Sequence, residues 1–214
     1  MLPFTRDQFL AVFADYNAAI WPAPVVAYGL GALAVFFLFR PRGASDRLIS
    51  AILAVMWLWT GVVYHGMYFT ALNPVAVVFA AGFIAQGVGL FIVGSVLRRL
   101  RFRWQARPGR WIGAGLIFYA AVIYPMVGLW SGHIYPAAPV FGLTPCPVTL
   151  FTLGVLLMAV THVPWGLLVV PALWAIVGGS AAILLDVPED WALLIGGAVA
   201  IRLVAMRRVS APSA

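Results

Sequence analysis

The sequence predicts an all-α integral membrane protein: seven transmembrane helices, an N-terminus outside, and a short amphipathic helix ahead of the first span. Three observations carry that prediction. Apolar residues make up 64% of the 214 residues and charged residues only 9%, against about 25% charged in an average soluble domain. Seven apolar runs have the character of spans, which need about 20 helical residues to cross about 30 Å of hydrocarbon. Finally, every one of the 13 basic residues is Arg, and nearly all of them fall in alternate breaks between the runs.

The first element covers residues 5–16. Thr5 is placed to cap a helix, with Gln8 as its capping-box partner, and Phe4 and Phe9 have the spacing of a hydrophobic staple. Phe9, Val12, Phe13 and Tyr16 recur at helical intervals, which suits a helix lying in the membrane interface better than one awaiting a partner. The segment is not a secretory signal, because no basic region precedes a short apolar core.

The candidate spans are residues 18–39, 48–69, 74–97, 111–132, 147–162, 164–185 and 188–206. Ser45 or Asp46 is expected to cap the second. Asn73 and Pro74 supply a cap and a first-turn proline to the third, and Pro164 opens the sixth. Asp186, Pro188, Glu189 and Asp190 gather at the start of the seventh, where acids suit the helix dipole. Pro125 and Pro171 are expected to bend the fourth and sixth spans. Small residues four apart, Ala85 with Gly89 and Gly178 with Ala182, favour close helix contact.

The Arg residues set the direction. Arg40, Arg42 and Arg47 fall in the first break, Arg98 to Arg110 in the third, and Arg207 and Arg208 at the C-terminus. Seven spans with an outside N-terminus place all of these in the cytoplasm, as the positive-inside rule requires. Trp21, Trp130 and Trp191 then lie at outer ends and Trp104, Trp111 and Trp165 at inner ends, as an aromatic belt. Trp57, Trp59 and Trp174 lie nearer mid-span and pack between helices. The weak link is the break Thr161–Trp165, which is short and lacks Arg. Were spans five and six one re-entrant hairpin, the C-terminus would fall outside. A bacterial inner (cytoplasmic) membrane is the expected location.

Several function classes are excluded. The net charge of +7 is distributed as topology rather than as a basic face, so nucleic acid is not a partner. One cysteine rules out an intramolecular disulfide and a Cys-x-x-Cys redox pair. Without Lys there is no retinal Schiff base. No internal repeat supports an inverted-repeat transporter.

The break His133–Pro147 (HIYPAAPVFGLTPCP) has no charge and is mostly apolar, and the run after it spans only about 24 Å at 1.5 Å per residue. This loop is therefore expected to dip into the bundle, where irregular backbone must be buried in protein or line a cavity. Pro145 keeps Thr144 extended, Pro147 suits the first helical position, and Cys146 is placed as the cap.

Polar residues share that level: His65, His133, Asn73, Tyr64, Tyr135, Asp186, Glu189 and Asp190. A ligand pocket is expected from His65, His133, Tyr135, Cys146 and Thr149, with Gln86 deeper in span three, where a polar residue should face the interior. His65, His133 and Cys146 are also candidate ligands for zinc or copper(I), and the two histidines for a haem. Against these stands a structural reading, with the histidines bonding backbone groups and Cys146 filling space. His162 and Arg202 lie towards the inner face. Ser180 lacks a basic partner that would make it a nucleophile.

The stretches PFTRDQFLAVFADYNAAIWP, WLWTGVVYH, GHIYP, FGLTPCPVTLFT and GGSAAILLDVPEDWALL resemble a family of bacterial multi-pass membrane proteins known only as a domain of unknown function. The most specific parts are Gly132, His133, Tyr135 and Pro136, and Pro145, Cys146 and Pro147. The resemblance covers most of the chain and implies an integral membrane fold of this size, with no reaction, substrate or cofactor attached.

The leading expectation is a small transport or channel-like protein with an outward-facing polar pocket at the start of span five. A helix start there would favour an anion or a polar solute. The alternatives are a metal- or haem-binding sensor or redox protein, and a non-catalytic subunit in a homo-oligomer or a larger membrane complex. An enzyme is the least supported, and no cofactor is required by the sequence.

Overall fold

The computed structural model describes residues 3–105 and 109–206; Arg107, Arg207 and Arg208 lie outside the described residues. The described chain is helical, with a single isolated β-bridge between Phe102 and Ala159. We label the helices α1 (Arg6–Ala19), α2 (Ala23–Phe39), α3 (Ser45–Leu72), α4 (Ala76–Val96), α5 (Arg110–Trp130), α6 (Pro145–Leu157), α7 (Gly166–Leu185) and α8 (Trp191–Met206).

Each predicted span coincides with one of α2 to α8, and α1 precedes them. Four helices, α3, α4, α5 and α7, are individually long and apolar enough to cross a membrane. A fifth crossing arises if α1 and α2, bent by 87°, count as one broken span. The break at Ile20–Pro22 starts α2 later than position 18, because Pro22 and Pro24 cannot donate to a preceding turn.

α1 forms for the reasons its sequence gives. Thr5 accepts from the Gln8 amide and Gln8 returns the bond to the Thr5 amide, closing the capping box. The rings of Phe4 and Phe9 stack at 6.0 Å. The helix runs on to Ala19, past the expected end at 16, because Tyr16 and Asn17 are buried against the bundle.

Ser45 and Asp46 do not cap α3. The Ser45 hydroxyl accepts from Arg42 N, and Asp46 accepts from the Phe102 amide and from Arg103. For Asp46 a longer-range partner therefore outcompetes the local cap. Asn73 does act locally, its side chain accepting from Val75 N at 3.1 Å. Ahead of Pro125 the ladder widens into a π-helical stretch, Tyr119–Ile123, where the missing proline N–H leaves a carbonyl without its donor. Pro171 lies inside an uninterrupted α7.

The core sits around α6. All 13 of its residues are buried, and it packs against α3, α5, α7 and α8. A helix apolar on every side is stable only when protein or lipid surrounds it; here protein does. Its closest neighbour is α5. A Cβ on either Gly113 or Gly154 would lie 2.8 Å from the other's carbonyl oxygen, so the two backbones touch because neither residue has a side chain. Trp57 donates to the Thr152 hydroxyl at 2.8 Å, satisfying one of the few polar groups inside.

α6 is shorter than the predicted span 147–162. Past Leu157 the chain leaves the helix and pairs with residues 101–103: Val160 N donates to Arg101 O, and Arg103 N to Met158 O. This pairing meets backbone needs that a further helical turn would otherwise have met.

Candidate functional site

Both prolines of the Pro-Cys-Pro stretch lie in the first turn of α6. Thr144 is the cap, with φ −121° and ψ 154°, so Cys146 is the second helical residue rather than the cap. The proline that matters is the first, since Pro145 forces the residue before it into extended backbone. The missing N–H groups cost nothing there, because first-turn amides have no helical acceptor. The loop before α6 descends as a buried segment from Phe141 to Thr144.

Cys146 faces a cavity of about 350 Å³. Its floor carries Tyr64 from α3, Tyr124 from α5, Cys146 from α6 and Asp190 from the turn before α8. The Cys146 thiol lies in interaction range of the Asp190 carboxyl and the Trp174 indole, and Tyr124 donates to Asp190 at 2.5 Å. The upper wall is aromatic. Phe4, just ahead of α1, and Phe9 and Phe13 of α1 close over it, and the C-terminal half of α7 forms its flank. The site is thus an apolar chamber with a polar floor and a helical lid.

A second cavity, of about 470 Å³, lies on the far side of Tyr124 and includes Gly128, His133, Tyr135 and Glu189 in its wall. Glu189 and Asp190 are adjacent in sequence, yet each serves a different cavity. Both are buried, with Glu189 fully so.

His133 holds the lid. Its Nδ1 is 2.6 Å from Glu189 Oε1 and its Nε2 is 2.9 Å from Arg6 Nη2. Arginine can only donate, so Nε2 must accept; Nδ1 then carries the proton and donates to Glu189. The imidazole is neutral and bridges one cation to one anion. Gly128 makes room, since a Cβ there would come 3.3 Å from Glu189 Oε1. Tyr119 donates to the Glu189 carbonyl at 2.8 Å.

Other bonds fasten α1. Asn17 donates to the carbonyls of Pro136 and Ala138, and Tyr135 donates to Asn17 O. The Tyr16 hydroxyl donates to Leu143 O at 2.8 Å while accepting from Trp59. Burial pushes the Tyr16 phenol pKa up.

The structure separates the predicted site residues. Cys146 is on the floor of the first cavity, while His133 and Tyr135 line the second. His65 is fully buried in a box of rings from Tyr64, Phe69, Phe79, Phe83 and Trp174. Neither of its ring nitrogens has a hydrogen-bond partner. The Thr149 hydroxyl is turned back to Pro145 O. Gln86 donates to Leu167 O, joining α4 to α7 away from both cavities.

The proposed ligand trio does not assemble. His133 has both nitrogens occupied, His65 faces carbon, and Cys146 faces Asp190. Among the described residues no group of three His, Cys, Asp or Glu side chains is arranged to hold a metal. Asp186 is exposed, apart from the buried pair Glu189 and Asp190.

Sequence reasoning missed Arg6, Tyr124 and the phenylalanines of α1 as site residues. Arg6 had a visible signal: it is the one Arg that precedes the first predicted span, apart from the Arg-rich breaks.

No curated protein and no solved structure gives a significant match. A family match does extend over residues 6–213, taking in α1, both cavities and the Arg6–His133–Glu189 chain. The chain therefore belongs to DUF6064, a family of unknown function.

Proposed function

We propose that this protein is a small inner-membrane carrier that admits an amphiphilic solute to the cavity beneath α1. The observation that carries the reading is the chamber of about 350 Å³ with aromatic walls and one carboxylate at its floor. Its volume falls in the usual range for small-molecule sites, about 300–1,000 Å³. The walls suit an apolar body. Asp190 and Tyr124 on the floor suit a head that is cationic or donates hydrogen bonds, so the anion favoured by a bare helix start is not the expected ligand. The fully buried α6 fills the axis below the chamber, which favours a carrier over an open channel.

In this reading all seven helices α2 to α8 span the bilayer, α1 lies outside and the Arg-rich breaks face the cytoplasm. The test uses single cysteines in a Cys146→Ser background. Ile134→Cys is expected to react with an impermeant maleimide in intact cells, and Gly43→Cys only after permeabilisation. The reverse pattern would invert the topology.

Ligand class is read with pyrenebutylamine and pyrenebutyrate on protein in nanodiscs, by energy transfer from tryptophan. Saturable binding of the amine is expected, with Asp190→Asn weakening it about tenfold, the scale of one charge-assisted hydrogen bond. Ala182→Trp, which fills the chamber, should abolish it. Amine binding that is unsaturable or indifferent to Ala182→Trp would sink the site. Binding without uptake into proteoliposomes would retire transport.

A further inference from the structure

At the other end of the molecule, α5 packs on α6 while α2 packs on α3, and α2 and α5 scarcely touch each other. Between them runs a groove of about 530 Å³, floored by Phe141, Phe151 and Met158 and walled by apolar residues of both helices. Its depth depends on Gly31, where a Cβ would meet the Phe141 ring at 2.5 Å. The groove ends at the rings of Phe36, Phe39 and Trp104.

Two guanidinium groups sit on those rings. Arg42 lies over Phe36 at 5.9 Å, and Arg110 over Trp104 at 5.2 Å and Trp111 at 4.8 Å. Neither has a carboxylate partner among the described residues. The one acid at this end, Asp46, is already paired with Arg103 at 2.7 Å. Arg110 Nε is buried with no acceptor. An apolar trough thus leads to two uncompensated, ring-mounted cations, one of them with an unmet donor.

We infer that this groove is a binding site for a phospholipid with an anionic headgroup, one acyl chain in the trough and the phosphate at Arg42 and Arg110. Guanidinium forks match phosphate oxygens two at a time, and basic pockets between membrane helices recognise such headgroups. A chain alone would fill the trough but leave Arg110 Nε unmet. A phosphate alone would leave the trough unused. The occupant that answers both is the lipid. This inference does not rest on the carrier reading, which concerns the opposite end.

The test is native mass spectrometry of the detergent-purified protein with phosphatidylglycerol or phosphatidylcholine of identical chains. Phosphatidylglycerol is expected to be retained about tenfold or more over phosphatidylcholine, on the scale of two surface guanidiniums. The pair Arg42→Gln and Arg110→Gln should erase that preference. Arg98→Gln with Arg99→Gln, the same charge removed away from the groove, should keep it. Ala32→Trp, which fills the exposed trough without touching the core, should weaken both lipids. Equal retention of the two lipids, or equal loss in both Arg pairs, would overturn the site, since charge without the groove would then suffice. Displacement by glycerol 3-phosphate at the lipid's own concentration would overturn the acyl-chain part.

Discussion

The two ends of the bundle handle charge in opposite ways. At the α1 end Asp7, Asp15 and Asp186 are exposed, but two acids turn inward: Glu189 is fully buried and Asp190 nearly so, and the buried His133 joins Glu189 to a half-buried Arg6. At the Arg-rich end, Arg40 and Arg42 are exposed and Arg110 rests on tryptophan rings. A buried ion survives only with a partner, and here His133 bonds both Arg6 and Glu189, so the first set binds elements together. Exposed cations outnumber acids at the second end and have bonds to spare for something outside the chain. Charge at one end is architecture and at the other is adhesion.

The contrast breaks most readily at Glu189. Glu189→Ala leaves the buried His133 donor without its acceptor, which costs about 1–3 kcal/mol. Glu189→Gln keeps an acceptor for Nδ1 and should lose clearly less. Equilibrium unfolding in mixed micelles measures both. A cost for Glu189→Ala no larger than that of a surface substitution would mean the inward chain is not holding the fold.

How much of this was readable beforehand follows the same division. The Arg-rich breaks were legible in composition: Arg40, Arg42 and Arg98 to Arg110 mark alternate breaks whatever the tertiary packing. The positions of the helices and the capping box at Thr5 are local as well, and each was legible. The α1 end was not. His133 was singled out, but its partners are 127 residues back and 56 ahead, and nothing in spacing reveals such pairs. Cys146 was placed two positions off in the helix, because two prolines offered two first positions and only the packing of Thr144 decides. Asp46 was misjudged as a cap for the same reason. Its partners, Phe102 and Arg103, come from a segment that pairs with the end of α6.

A smaller effect separates α1 as a lid from α1 as a passive interface helix. The Tyr16 hydroxyl joins α1 to Leu143, just before α6. Tyr16→Phe removes that bond and leaves the Leu143 carbonyl and the Trp59 donor short, at about 1–2 kcal/mol. Because burial raises the Tyr16 pKa, the neutral phenol is the form that stabilises. Its contribution is full below about pH 10, the ordinary tyrosine value, and is lost as the pH rises beyond it. Stability measured from pH 8 to 11 should fall on the alkaline side in the wild type and fall less in Tyr16→Phe. Parallel curves would mean the hydroxyl is not a fastening of the lid.

The smallest expected change belongs to the Arg-rich end, and its smallness is the point. Arg42→Gln and Arg110→Gln break no ion pair among the described residues; each removes one ring-stacked cation. At exposed sites such a contact is worth about 0.5–1 kcal/mol, and in detergent without lipid the pair should shift the unfolding midpoint only slightly. Adding phosphatidylglycerol should then stabilise the wild type and leave the double variant where it was, because a ligand stabilises only the state that binds it. Should the double variant be as unstable as Glu189→Ala in lipid-free detergent, these arginines would be structural, and the distinction between the two ends would collapse. Should it match the wild type with and without lipid, the guanidinium groups would touch neither fold nor headgroup. Only a gap that opens on adding the anionic lipid fits cations held in readiness at the mouth of a groove.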